Sequence, residues 1–165
     1  MKKLEVYIEN LHNGKNAWIE LPTSDIVINR VLEEINPGGL HDVIIADYET
    51  DISGLKVSEY DNILELNTIA EEIEGMYDDE IIALQAYLEE YNMEQALDEV
   101  HQGNYRIYYD CNDMSDVAYQ VVNECGLLDG APEELKVYFD YEAYGRDLDI
   151  EGRFIQVDDA FVELF

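Results

Sequence analysis

A chain of 165 residues with 39 acidic against 9 basic side chains, a net charge of −30, is repelled by nucleic acid and by anionic membranes and is drawn to strongly basic surfaces. Its 47% apolar content, with 13 tyrosines, excludes the low-hydrophobicity, high-charge composition of unfoldable chains, and its length suits one ordinary domain or two or three small ones in a row. No apolar run is long enough to span a bilayer. Met1-Lys2-Lys3 is basic, but Leu4 to Asn10 alternates apolar and polar instead of forming a signal-peptide core. Cys111 and Cys125 make no CxxC pair, which leaves a lone disulfide unsupported and favours a reducing, cytoplasmic setting.

In chain order, Leu4 to Glu9 alternates as a strand, Asn13-Gly14 is a turn signal, and Ala17 to Leu21 alternates again, which predicts a hairpin. Pro22-Thr23-Ser24-Asp25 offers a helix start, with Ile28, Val31, Leu32 and Ile35 at helical spacing until Pro37-Gly38-Gly39. Val43 to Ala46 predicts a third strand. From Tyr60 to about Gly103 the period becomes helical: Ile63, Leu66, Ala70 and Ile73 form one inward row, Ile81, Leu84, Leu88 and Tyr91 a second, and a shorter helix covers about Met93 to Val100. After Gly103 the pattern predicts a strand over Tyr105 to Tyr109 and a helix from about Met114 to Glu124, with Val117, Val121 and Val122 inward, ended by Gly126. From Pro132 onward it predicts a short helix, a tyrosine-rich bend and a closing strand near Arg153 to Val157. The chain therefore divides near residues 60 and 103.

Between Lys56 and Arg106 lie 49 residues without a lysine or arginine, and 14 of them are acidic: Glu59, Asp61, Glu65, Glu71, Glu72, Glu74, Asp78, Asp79, Glu80, Glu89, Glu90, Glu94, Asp98 and Glu99. Ordinary surfaces interleave the two signs. Asp78, Asp79 and Glu80 open a helix, where its dipole favours them, but Glu71, Glu72 and Glu74 fall in a last turn, and Glu89 and Glu90 are expected to close the next helix. Each carboxylate so placed opposes the dipole by a few tenths to about 1 kcal/mol, with no lysine at i+4 to offset it. Stability alone does not select this arrangement; a basic partner does. Duplex DNA carries one charge per roughly 1.7 Å of axis, so the roughly −60 of two such chains equals the phosphate charge on about 100 Å, or about 30 base pairs.

The residues also resemble a known family. His41-Asp42-Val43-Ile44-Ile45-Ala46-Asp47-Tyr48-Glu49, then Leu66-Asn67-Thr68-Ile69-Ala70-Glu71, and above all Leu127-Leu128-Asp129-Gly130 leading to Tyr138-Phe139-Asp140-Tyr141-Glu142-Ala143-Tyr144-Gly145-Arg146-Asp147-Leu148 are similar to the ArdA antirestriction proteins of mobile genetic elements. Asn13-Gly14 and Trp18 keep the family's turn and tryptophan, while the loop between the first strands is shorter than in many members. The segment from about Gly126 to Tyr141 matches the family's antirestriction motif, which carries over to Leu127, Leu128, Asp129, Gly130, Glu133, Glu134, Tyr138, Phe139, Asp140 and Tyr141.

The resemblance implies an α+β protein built as an elongated chain of three small domains. These are an N-terminal α/β domain with a three-stranded antiparallel sheet over residues 1–60, an acidic helical domain over 61–103, and a C-terminal α+β domain over 104–165 that holds the contact of a homodimer. That last domain concentrates Tyr105, Tyr108, Tyr109, Tyr119, Tyr138, Phe139, Tyr141 and Tyr144, partly for its core and partly for an interface of the kind tyrosine favours. The implied function is DNA mimicry. The protein would occupy the DNA groove of a type I restriction-modification enzyme, on the methyltransferase core with its specificity subunit, and so protect incoming plasmid or transposon DNA from cleavage and in some cases from methylation. It would bind neither nucleic acid nor membrane.

No constellation for catalysis stands out. His12, His41 and His101 are scattered in sequence, neither GxSxG nor a Walker-type loop occurs, and Gly38-Gly39 follows a helix as a turn would. Asp47-Tyr48-Glu49-Thr50-Asp51 has acids at loop positions 1, 3 and 5 of a calcium loop, but Ile52 replaces the glycine and Ser58 the bidentate glutamate; Asp110 to Met114 fails at position 5. A non-enzymatic protein without cofactor or dedicated metal is expected. The charge alone also suits an acidic chaperone or adaptor for basic nucleic-acid-binding proteins, from which a mimic differs by its preference for grooves of DNA-like shape.

Overall fold

A computed structural model describes residues 4–165. Met1, Lys2 and Lys3, the basic start noted above, lie outside the described residues. The protein is α+β, with two small antiparallel sheets, and divides into two compact units, residues 1–81 and 82–165.

In the first unit the expected hairpin forms from β1 (Leu4–Asn10) and β2 (Asn16–Leu21), in a register that sets Leu4 opposite Leu21 and Glu9 opposite Asn16. Alternation does the sorting: Leu4, Val6 and Ile8 are buried on one face, while Tyr7 pairs across the strands with Trp18 on the other, ring centroids 5.2 Å apart. Helix α1 (Asp25–Ile35) buries Ile28 and Ile35, and Pro37-Gly38-Gly39 ends it in a single 3-10 turn with Gly38 at φ 74. Strand β3 (Val43–Thr50) is longer than its apolar run: Asp47 to Thr50 pair with Tyr7 to Leu4, past a bulge between Tyr7 and Ile8. The sheet order is β2-β1-β3. Buried Asn10 ties the loops at this end, its amide nitrogen donating to the Ile35 carbonyl at 3.0 Å and its oxygen accepting from the His12 N–H at 2.9 Å.

Helix α2 (Ile63–Gly75) belongs to the same unit. Its predicted inward row, Ile63, Leu66, Ala70 and Ile73, is buried, and so is Asn67. The Asn67 oxygen accepts the Thr23 N–H at 2.8 Å while its nitrogen donates to the Thr23 carbonyl at 2.9 Å. A side-chain amide thus bonds a backbone segment as a neighbouring strand would, across the division anticipated near residue 60.

Helix α3 (Asp78–Leu88) contains the boundary between the units, and α4 (Met93–Gln102) ends at Gly103 in the left-handed conformation. In the second unit, β4 (Tyr105–Tyr108), α5 (Met114–Glu124) and the four-residue α6 (Glu133–Lys136) follow as expected. Two elements differ from expectation. The tyrosine-rich bend is a three-turn helix, α7 (Tyr141–Glu151), capped by Asp140, whose carboxylate accepts the Ala143 N–H at 2.9 Å. Gly145 interrupts its apolar pattern because it lies against α5: a Cβ there would stand 2.3 Å from the Met114 carbonyl oxygen. The strand β5 (Phe154–Val157) is not the last but pairs with β6 (Ala160–Leu164), and the sheet runs β4-β6-β5. The hairpin turn is Asp158-Asp159, with Asp158 at φ 52, instead of the Asn-Gly or Asp-Gly that marks such turns in sequence.

The core of this unit gathers Tyr108, Cys111, Val117 and Phe161, with Met114, Val121 and Phe154 at its edge. Buried Tyr87 donates its hydroxyl to the Asn104 carbonyl. Both cysteines are free thiols, Cys111 buried and Cys125 exposed.

Candidate functional site: an acidic interface

The helices of residues 63–102 turn their apolar rows inward, and the carboxylates are left outside. Of the fourteen acids, Glu72, Glu80 and Glu99 are half-buried and the rest are exposed. Nine of them, Glu59 to Glu80, belong to the first unit and five, Glu89 to Glu99, to the second. Burying any of these charges would demand a partner, so an outward acidic face is what the periodicity requires.

The structure separates carboxylates engaged within the fold from those that serve no internal contact. Asp61 accepts the Ser58 N–H at 2.7 Å, and Glu80 accepts the Tyr77 N–H at 2.7 Å at the start of α3. Glu71 receives the Asn67 amide at 3.3 Å, Asp98 that of Gln102 at 2.8 Å, and Glu99 that of Asn104 at 2.6 Å. Glu90 lies 3.8 Å from Arg153, which also donates to the Tyr91 hydroxyl at 2.6 Å. Glu90 is therefore offset by a cation from far along the chain, where its neighbours in sequence offer none. Glu89 and Glu90 also fall just beyond α3, which ends at Leu88, with their N–H groups bonded back to Ala86 and Tyr87. They still adjoin its carbonyl end, while Glu71, Glu72 and Glu74 occupy the last turn of α2, which itself contains no basic residue. Among the described residues the carboxylates of Glu59, Glu65, Glu74, Asp78, Glu89 and Glu94 hold no internal hydrogen bond or ion pair.

The segment Gly126 to Tyr141 forms a second surface. Gly126, at φ 61, closes α5 in the left-handed conformation, with the Leu127 N–H bonded back to the Val122 carbonyl at 3.0 Å, and the Asp129 carboxylate folds over it, 2.5 Å from where a Cβ would stand. Leu127, Asp129, Gly130, Glu133, Glu134, Tyr138 and Asp140 are exposed, while Leu128, Phe139 and Tyr141 are half-buried. Glu133 pairs with Lys136 at 2.7 Å. Phe139 packs edge-on against Tyr141 and Tyr144, at centroid distances of 4.8 and 5.7 Å, and Tyr141 meets Tyr119 at 5.4 Å. Of the eight aromatic residues anticipated here, Tyr108 alone is fully buried, whereas Tyr109, Tyr119 and Tyr138 are exposed. Burial pushes the Tyr108 phenol up to about 12, its hydrogen bond to Glu163 adding to this and Arg106 opposing it.

Two features escaped sequence reading. Asn67 positions the acidic helix, and its only signal was a polar residue beside the inward Leu66. His12 and His41, scattered in sequence, stack with centroids 3.8 Å apart. The calcium-loop candidate is excluded by geometry, since Asp47 to Thr50 form an extended strand. Among the described residues no helix is long and apolar enough to cross a membrane.

No curated protein matches the chain. The family described as Antirestriction protein (ArdA) matches residues 6–163, a span that includes both the acidic helices and the Gly126 to Tyr141 segment. The chain belongs to the ArdA family of antirestriction proteins.

Proposed function

We propose that this protein is a non-enzymatic DNA mimic that occupies the DNA groove of type I restriction-modification enzymes, on the methyltransferase core with its specificity subunit, and thereby blocks cleavage of incoming mobile DNA. The observation that carries this reading is the outward disposition of fourteen carboxylates over 49 residues that contain no lysine or arginine. A groove lined with Lys and Arg gains from such a surface the attraction it gains from phosphates, with no bases to read. Methylation, which needs the same groove, is blocked by the same competition.

The active form is a homodimer joined through the C-terminal part of the chain. In support, Leu127, Leu135, Val137 and Tyr138 expose apolar surface within one short segment. Apolar and tyrosine-rich surface is suited to self-association.

The test is competition. A type I methyltransferase core bound to a labelled duplex containing its site is titrated with this protein at two salt concentrations. Displacement that weakens steeply with salt is the expected result, because added ions screen the carboxylates. A folded protein that displaces no duplex from an active enzyme refutes the groove mechanism and moves the function to another basic partner.

A further inference from the structure

The most exposed rings of the first unit are Tyr60 and Tyr77, at 77% and 79%. They bracket helix α2: Tyr60 precedes its cap Asn62, and Tyr77 lies between its end and the start of α3. The helix between them is about 20 Å long at 1.5 Å per residue. Each ring has two carboxylates as near neighbours in sequence, Glu59 and Asp61 for Tyr60, Asp78 and Asp79 for Tyr77. The backbone that carries each ring is pinned. Asp61 accepts the Ser58 N–H at 2.7 Å and returns its own N–H to the Ser58 carbonyl at 3.1 Å, closing a turn around Tyr60. The Tyr77 N–H is held by Glu80 at 2.7 Å.

A single exposed ring needs no explanation. Two rings on fixed turns at the two ends of one acidic helix, each contributing nothing to the core, call for a partner with both apolar and cationic character. Arginine has it: its guanidinium stacks on an aromatic face while its N–H groups reach a carboxylate alongside. Because the turns are already ordered, little conformational freedom is lost when such a contact forms.

We infer that Tyr60 and Tyr77 are contact residues that receive arginine side chains of the partner's DNA groove, ring against guanidinium plane, with the adjacent carboxylates taking its N–H groups. This rests on the groove-occupying reading above and adds a second kind of contact to it. The carboxylates stand in for phosphates, and the two rings supply flat faces at set places along the surface, so that register as well as charge is recognised.

The test uses the same competition assay with the full chain. Y60A/Y77A, Y60L/Y77L and Y60F/Y77F are compared with the wild type at two salt concentrations, with thermal melts to confirm that each variant folds, as expected for rings this exposed. The phenylalanine pair keeps both ring faces and is expected to compete within about twofold of the wild type. The alanine and leucine pairs are expected to compete ~10- to 100-fold more weakly, from the attraction of a cation to each ring, with an unchanged salt dependence because no charge is removed. Alanine or leucine pairs that compete like the wild type overturn the inference and leave the groove mechanism standing. A wild-type chain that displaces no duplex overturns both.

Discussion

Asn67 offers the sharpest test of how the acidic surface is held. It is 2% exposed and bonds both backbone groups of Thr23, at 2.8 and 2.9 Å. In N67A both hydrogen bonds to Thr23 disappear, each contributing about 1 kcal/mol net, together with the longer, weaker one to Glu71, and the Thr23 N–H and carbonyl are left to whatever water reaches a half-buried loop, a further cost of about 1 kcal/mol. The expected loss is about 3 kcal/mol. In N67D the acceptor survives, but a carboxylate replaces the donor and faces the Thr23 carbonyl and the Glu71 oxygen that the amide had held at 3.3 Å. A buried charge between two acceptors costs more than an absent side chain, so N67D is expected to be less stable than N67A at pH 7. The introduced carboxyl would hold its proton more tightly folded than unfolded, so N67D regains stability as pH falls. The assay is urea unfolding followed by far-ultraviolet circular dichroism. At a slope of about 2 kcal/mol per molar the N67A midpoint falls by about 1.5 M. An N67A midpoint within about 0.25 M of the wild type, or N67D more stable than N67A at pH 7, refutes the view that this amide docks the acidic helix.

Three other outcomes are expected. Changing Glu65, Glu72, Asp79, Glu89, Glu94 or Asp98 singly to its amide should weaken competition by no more than about threefold, since the attraction is spread over many exposed charges; one amide that abolishes antirestriction in a folded protein contradicts this. G145A drives a Cβ to 2.3 Å from the Met114 carbonyl oxygen, a backbone clash that costs about 1 to 3 kcal/mol and should lower the melting temperature by about 3 to 10 °C; an unchanged melt would show that α7 shifts freely. Tyr108 holds its proton up to about pH 12 in the fold against about 10 unfolded, so its contribution is complete below pH 10 and is lost as pH rises from 10 to 12. Stability measured across that window should fall less steeply in Y108F, and an equal slope in the two proteins refutes the assignment.

Where the sequence succeeded and where it failed have the same cause. The hairpin, α1, the inward row of α2 and the bounds of α5 follow from apolar residues at period 2 or 3.6 and from turn and cap residues, all local signals. The second half of β3 escaped because Asp47 to Thr50 are polar and owe their strand conformation to pairing with β1. Helix α7 was hidden by Gly145, a poor helix former that is required by the close approach of α5. The β5–β6 hairpin was hidden by a turn made of two aspartates, one of them in the left-handed conformation that Asp tolerates better than most residues.

The candidate site divides in the same way. Charge is additive along a chain, so the acidic stretch was already determined by composition, and helical periodicity determined that these carboxylates face outward. Which of them are engaged was decided by the tertiary structure, through contacts between residues far apart in sequence. Arg153 reaches back 62 positions to Tyr91 and meets Glu90, and Asn67 reaches 44 positions to Thr23. No local pattern encodes such pairs, because each depends on where packing brings two separate segments together. The sequence by itself determined an acidic, α+β antirestriction protein with its carboxylates outward; the tertiary structure decided which side chains hold that surface in place and which carboxylates take no part in doing so.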